Sequence, residues 1–329
     1  MGSSDESMAA YCTASPPLWT PPSQELPFVL PPDEPAVDPR TILHACPLDA
    51  MLRAMDQTCP QINMKKFDLI TDRKNLRALL HFVRNHIPKA GHRIDAEVIG
   101  NTVLFFLGWS GNGYWNSKSY GVNFQRAFTG GLSEGTTQHN RVVTYSLGSL
   151  NMMVKYQVDA YFGPAKSTST AVPDDALACS STIAPTGLQV IYRDTSLAAP
   201  ESILEIKTAR PRQQLLKTQT MAQMWFSQTP ILVTGWHDGE GRFSAVEKIN
   251  VMETGALGKW EARHREDLQK LVKLVQMIKE HLVASPIKRQ AIVLRRGRWE
   301  DDQSVVEFYS IVDSYELGLP HDLRAKWTQ

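Results

Sequence analysis

Two short segments constrain this chain most: Gln157-Val158-Asp159, and Glu205-Ile206-Lys207 about 46 residues further on. From Val154 to Tyr161 the sequence alternates without a break. Val154, Tyr156, Val158 and Ala160 form an apolar series, and Lys155, Gln157, Asp159 and Tyr161 a more polar one. In Ile203 to Thr208, Leu204 and Ile206 alternate with Glu205 and Lys207. Successive side chains of a strand point to opposite faces, so Gln157 shares a face with Asp159, and Glu205 shares one with Lys207. If the two strands are neighbours, two carboxylates and an ammonium converge on one spot. That is the minimal equipment for metal-assisted cleavage of a phosphate ester. The pattern is weak in isolation, because a solvent-exposed sheet produces the same text.

The surrounding sequence predicts an α+β fold with a mixed central sheet flanked by helices. Eleven of the twenty prolines fall in the first sixty residues, so residues 1–40 read as a Pro-rich flexible arm. Leu18-Trp19 and Pro27 to Leu30 are apolar enough to dock it. Residues 41–329 read as a single domain, with globular patterning from Phe67 onward. The apolar spacing predicts a helix over Asp72–Val83, capped by Thr71 or Asp72. A buried strand is expected over Val98–Gly108, then a Gly-rich loop, then a helix carrying Phe124 and Phe128. One or two strands are expected over Arg141–Phe162, turning near Gly148, and residues 163–187 read as a long loop insertion. Beyond Glu205, a helix is expected from about Arg212 to Gln228, a hairpin around His237–Gly241, and a long helix over Trp260–Ala284. Strands follow at Ala291–Leu294 and Val305–Ile311.

Charge and cysteine usage exclude little but are informative. The formal net charge is +1, so a nucleic-acid partner would have to be met by a local basic channel. No apolar run reaches 18 residues, so no membrane partner is expected. The N-terminus lacks the charged-then-apolar pattern of a secretion signal. Cys12, Cys46, Cys59 and Cys179 show no paired spacing and read as reduced thiols of an intracellular protein, nuclear or cytosolic.

Several motifs in order carry a resemblance. The stretch from Tyr145 to Asp159, followed by Leu204-Glu205-Ile206-Lys207-Thr208, resembles the DXO-type (RAI-like) decapping exoribonuclease family of the PD-(D/E)xK nuclease group. Met221 to Asp238 is similar to that family's Ala-Gln helix running into a Pro-led strand. Phe67 to Leu76 resembles its arginine motif, and Gly121 to Gln125 sits where the family has a helix with a terminal Glu. The resemblance spans about half the chain, from Phe67 to Val251.

The resemblance implies a restriction-nuclease-like core and a metal-dependent hydrolase of RNA 5′ ends: decapping, pyrophosphohydrolase or 5′→3′ exoribonuclease-like. It makes Asp159, Glu205 and Lys207 catalytic, and Asp159, Glu205 and the Ile206 carbonyl ligands of Mg²⁺ or Mn²⁺. Arg73, Lys207 and Gln223 become substrate-binding. Gln125 and Gln157 stand where the family carries Glu, so they would be uncharged metal ligands, and the acidic ligands fall from four to two. The implied partner is a capped or triphosphorylated RNA 5′ end, with a 5′→3′ exoribonuclease as a second. The alternative is a catalytically weakened member that binds RNA, a nucleotide or that exoribonuclease.

Overall fold

The structure is a computed structural model. It describes residues 9–12, 16–23, 25–34, 46–86, 91–107, 118–130, 139–163, 179–193, 197–211, 215, 219–296, 304–311 and 318–327. In chain order the strands begin with β1 (Ala9–Cys12), β2 (Leu18–Trp19), β3 (Phe28–Val29), β4 (Leu69–Asp72), β5 (His92–Ile99) and β6 (Thr102–Leu107). There follow β7 (Thr129–Gly130), β8 (His139–Leu147), β9 (Leu150–Val158), β10 (Ala160–Tyr161), β11 (Cys179–Ile183) and β12 (Gln189–Arg193). The last are β13 (Ile203–Ala209), β14 (Ile231–His237), β15 (Arg242–Asn250), β16 (Arg289–Arg295) and β17 (Val305–Ser310). The helices are α1 (Asp49–Thr58), α2 (Arg73–Val83), α3 (Gly121–Phe128), α4 (Gln219–Ser227), α5 (Ala256–Arg263), α6 (Arg265–Ala284) and α7 (His321–Arg324).

Among the described residues these strands make two seven-stranded mixed sheets and one of three strands. The first large sheet runs β17-β16-β5-β6-β4-β9-β8, and the second β3-β15-β14-β13-β10-β2-β7. The small sheet runs β1-β12-β11. One face of the first sheet packs Met152, Val154 and Phe105 against α2, α4, α5 and α6. Its other face packs Ile70, Leu104 and Met153 against α1 and the C-terminal Leu319, Leu323 and Trp327. The second sheet lays Leu204, Ile206 and Val233 on α3. This is the expected α+β architecture with mixed sheets flanked by helices. Among the described residues no helix is long and apolar enough to cross a membrane.

Several elements differ from their sequence expectation, each for a physical reason. Where it is described, the proline-rich segment, expected as a flexible arm, pairs in two sheets: β1 with β12 in the small sheet, and β2 and β3 in the second large sheet. Leu18 pairs with Tyr161 and Gly130, and Phe28 pairs with Phe243. Aromatic burial holds these two-residue strands: Trp19 stacks on Phe128 at 5.2 Å and Phe28 on Phe243 at 5.4 Å. Prolines on either side are compatible because the strands are short and peripheral. Asp33 of the same segment caps α3, accepting the Val122 and Asn123 N–H groups at 3.1 and 2.8 Å. The expected insertion at 163–187 ends in strand β11, which pairs with β12. The single strand expected at Val98–Gly108 is the turn and second arm of a hairpin, with Gly100 at φ 61°. The long helix breaks at His264, because Trp260 seats on Trp225 of α4 while Leu268 and Leu271 pack in the α2 core. Helix α1 has no counterpart among the sequence expectations, although Met51, Leu52 and Met55 bury one face of it.

Phe124 of α3 seats on Gly235 of β14. A Cβ at Gly235 would lie 2.4 Å from the Phe124 ring, which is itself stacked on Phe128 at 4.3 Å. Gly235→Ala is therefore expected to destabilise the fold by about 1–3 kcal/mol through overpacking. A urea titration would read this as a lower midpoint at unchanged slope.

Candidate active site

The chain crosses from the first large sheet to the second at Asp159. It leaves β9 at Val158 and enters β10 at Ala160, which pairs with Leu204 of β13. This crossing brings the two sequence segments together. Asp159 Oδ2 accepts the backbone N–H of Ile206 at 2.8 Å. The i,i+2 rule does not extend through the crossing: Gln157 is exposed on β9, opposite Asn140, and its side chain makes no hydrogen bond among the described residues. Gln125 on α3 reaches the junction, donating its Nε2–H to the Asp159 carbonyl at 3.0 Å.

Glu205 is 2% exposed, between the sheets rather than on a wet face. A buried carboxylate must be compensated, and three elements do so. Lys207, two residues on along β13, pairs with Glu205 Oε1, and Gln223 of α4 donates to the same oxygen. Arg73, at the start of α2, donates from Nη1 to Glu205 Oε2 at 3.1 Å. Asp72 does not neutralise Arg73. It caps α2 by accepting the Lys74 N–H at 2.8 Å and lies 3.7 Å from Lys155. Arg73 also donates to Ser227 Oγ at 3.1 Å, and its guanidinium lies 5.6 Å from the Tyr156 ring centre.

The structure thus brings Arg73, Glu205, Lys207 and Gln223 into one bonded cluster, with Asp159, Ile206 and Gln125 joined at its edge. Gln157 stands apart. Ser227 and Tyr156 are additional members. Ser227 lies four residues after Gln223 on one helix face, a spacing that could have found it. Tyr156 belongs to the apolar series of its strand and carried no such signal. Trp109, Tyr114 and Trp115, loop aromatics that could stack bases, lie outside the described residues.

The two carboxylates are held apart electrostatically. Burial, and then the Glu205 charge, push the Asp159 carboxyl up to about 7. Burial also works to raise Glu205, but the Lys207 and Arg73 charges outweigh it and hold Glu205 down at about 2.

The acceptors left over decide whether a divalent cation fits. A carboxylate offers about four lone-pair sites, and Lys207, Gln223 and Arg73 take three on Glu205. Asp159 Oδ1 carries no hydrogen bond among the described residues. The Ile206 carbonyl points to the same strand edge as its N–H, which faces Asp159. The Gln125 carbonyl oxygen is a further neutral acceptor. This all-oxygen set suits one hard cation that completes its shell with water or substrate phosphate. It does not suit two, and among the described residues no three His, Cys, Asp or Glu residues group to hold a metal.

Comparison with known proteins places the fold. A family model described as "Domain of unknown function (DUF8563)" matches residues 6–327. The chain belongs to that family. No curated protein matches it in sequence. Among solved structures it is similar to Candida albicans Rai1 in complex with pU5-Mn2+, at 11% identity and a TM-score of 0.55 over 89% of this chain and 80% of that one. It is also similar to S. pombe Rai1, at 11% identity and a TM-score of 0.54, over 90% and 94% of the two chains. S. pombe Rai1 in complex with 3'-FADP aligns at 12% identity and a TM-score of 0.53, over 87% of each chain. The fold is therefore that of Rai1, as the order of sequence motifs implied.

Asp159 provides a pH test. Its carboxyl titrates at about 7 in the folded chain against 3.8 unfolded, so it binds a proton on folding between those values. Its contribution favours the folded state at acid pH and fades as pH rises through about 7. In metal-free buffer, Asp159→Asn should therefore raise stability at pH 8, with a clearly smaller gain at pH 5 and none below the unfolded value of 3.8. Urea midpoints at the two pH values check this.

Proposed function

We propose that this chain binds phosphorylated or capped RNA 5′ ends and hydrolyses them with one Mg²⁺ or Mn²⁺. The observation that carries this reading is the buried cluster of Glu205, Arg73, Lys207 and Gln223 beside Asp159, at the crossing between the two sheets. The fold shared with Rai1 supports it, as does the complex that Candida albicans Rai1 forms with pU5 and Mn²⁺.

In this reading Asp159 Oδ1, the free lone pair of Glu205 and the Ile206 carbonyl hold the cation, with the Gln125 carbonyl as a neutral contributor. The cation, when bound, supplies Lewis-acid polarisation of a phosphoryl oxygen and of water. Arg73 presents a planar fork suited to phosphate oxygens. Gln223 and Lys207, now on Glu205 Oε1, orient the carboxylate and present donors towards the reacting phosphate. Gln157, exposed on β9, contributes only where a long substrate passes that strand.

A second reading has its own observation. Glu205 is already bonded by three side chains, and only two carboxylates stand at the site. A chain with that charge balance could bind a 5′ end, or present it to a 5′→3′ exoribonuclease, without turning it over.

One assay separates the two. Wild type, Glu205→Gln and Glu205→Ala would each be incubated with Mn²⁺ and 5′-triphosphorylated or capped RNA, with folding checked by circular dichroism. The hydrolase reading expects product from wild type and a loss of about 10²–10³-fold in Glu205→Gln, typical of removing one charge-stabilising group. Equal product from all three, or none from any, overturns it. Binding of the RNA by a wild type that releases no product supports the second reading.

A further inference from the structure

Helix α2 carries a second arginine that the cluster does not use. Arg77 lies four residues after Arg73, on the same helical face and one turn further along, a rise of about 6 Å. It is partly buried, and its Nη2 donates to the amide oxygen of Gln219, at the start of α4, at 3.1 Å. Its Nε is buried and has no hydrogen-bond partner among the described residues. Among those residues no carboxylate forms an ion pair with Arg77. The acid that acts on it electrostatically is Glu205, already bonded to Arg73 and Lys207.

The sequence cannot supply the missing carboxylate from the neighbouring segment. No Asp or Glu occurs between Glu205 and Asp238, whereas Lys207, Arg210, Arg212 and Lys217 do. Burial, and then the Arg73 charge, work against the protonated state of Arg77. A half-buried guanidinium that lies one turn from a second arginine, and has no carboxylate paired with it among the described residues, is charge left uncompensated by the protein.

We infer that Arg77 grips a second phosphate of the ligand, one covalently next to the phosphate held beside Arg73. The inference rests on the 5′-end reading and deepens it, making the site selective for ligands with two consecutive phosphates. The second phosphate has two sources, the next group of a 5′-polyphosphate or the first internucleotide linkage of the RNA. The chemistry is the same in both: an oxyanion whose paired acceptors match the guanidinium fork.

The test is binding without turnover. AMP, ADP and the 5′-phosphorylated dinucleotide pApA would be titrated calorimetrically into the full chain, wild type and Arg77→Gln, in metal-free buffer. Arg77→Gln should lose about tenfold to a hundredfold in affinity for ADP, for pApA or for both, the scale of one charge-assisted hydrogen bond. Its AMP affinity should stay within about twofold of wild type. A loss confined to ADP assigns the polyphosphate as the source, and one confined to pApA assigns the RNA linkage. An equal loss for all three ligands, or for none, overturns the inference and leaves the 5′-end reading standing. Wild type that binds none of the three overturns that reading as well. Melting without ligand separates a structural role. A half-buried cation with no ion-pair partner among the described residues should leave the melting temperature of Arg77→Gln unchanged or higher, and a marked fall would overturn the inference.

Discussion

The carboxylate of Glu205 is the constraint around which the rest of the structure is arranged. It sits almost fully buried on β13, and its partners come from an adjoining strand position, the first turn of α2 and the middle of α4. The strand belongs to the second large sheet and both helices pack on the first, so the ionic cluster ties α2 and α4 to β13 across the junction of the two sheets. Removing one member of such a buried cluster costs about 3–5 kcal/mol, whereas a well-packed apolar replacement of the whole cluster is often neutral or stabilising. Stability therefore does not explain why the charges are there. The proposed phosphorylated ligand, which would use them, does.

Asp159 owes its position to the same constraint. Had β9 continued, its side chain would have followed Gln157 onto the outer face of the first sheet. The change of sheet after Val158 instead hands it to the Ile206 N–H, one residue beyond the Glu205 carboxylate. Two acids so placed in a dry site cannot both ionise freely. The cations favour Glu205, and Asp159 keeps its proton towards neutral pH. The asymmetry follows from who holds Arg73 and Lys207, not from any difference between Asp and Glu.

Much of this was legible in the sequence where local patterning and tertiary context agree. The α2 stripe of Leu76, Leu79 and Leu80, the turn at Gly148 and the hairpin beyond His237 all follow from period and turn chemistry. The pairing of the Asp159 and Glu205 segments was legible as well, through the order of the motifs around them; alternation in both strands allowed a common neighbourhood without requiring it. What was not legible depends on contacts distant in sequence. Prolines announced an arm, but the aromatic faces of Phe128 and Phe243, which convert Leu18-Trp19 and Phe28-Val29 into strands, lie more than a hundred residues away. In sequence Arg73 is one charge at the start of a Lys/Arg-bearing helix, and only Glu205, 132 residues on, makes it a buried one. Gln157 misled because its two-residue spacing from Asp159 assumed a strand that ends between them.

The glutamines and the arginines can be understood as one adjustment of charge. With Gln at 125, and with Gln157 standing apart, the described site keeps two carboxylates, one of them inclined to hold a proton, against Arg73, Arg77 and Lys207. By itself a site of that composition is cationic, the reverse of a preassembled acidic cage for two metal ions. Such a site gains little by attracting a cation first and much by attracting an anion. In the proposed reading, a phosphate docked on the guanidinium groups would bring the negative oxygens that the protein lacks, to be shared with a cation that Asp159, Glu205 and Ile206 would help to hold. Cation and phosphorylated ligand should therefore bind with positive cooperativity, each supplying the charge the other needs.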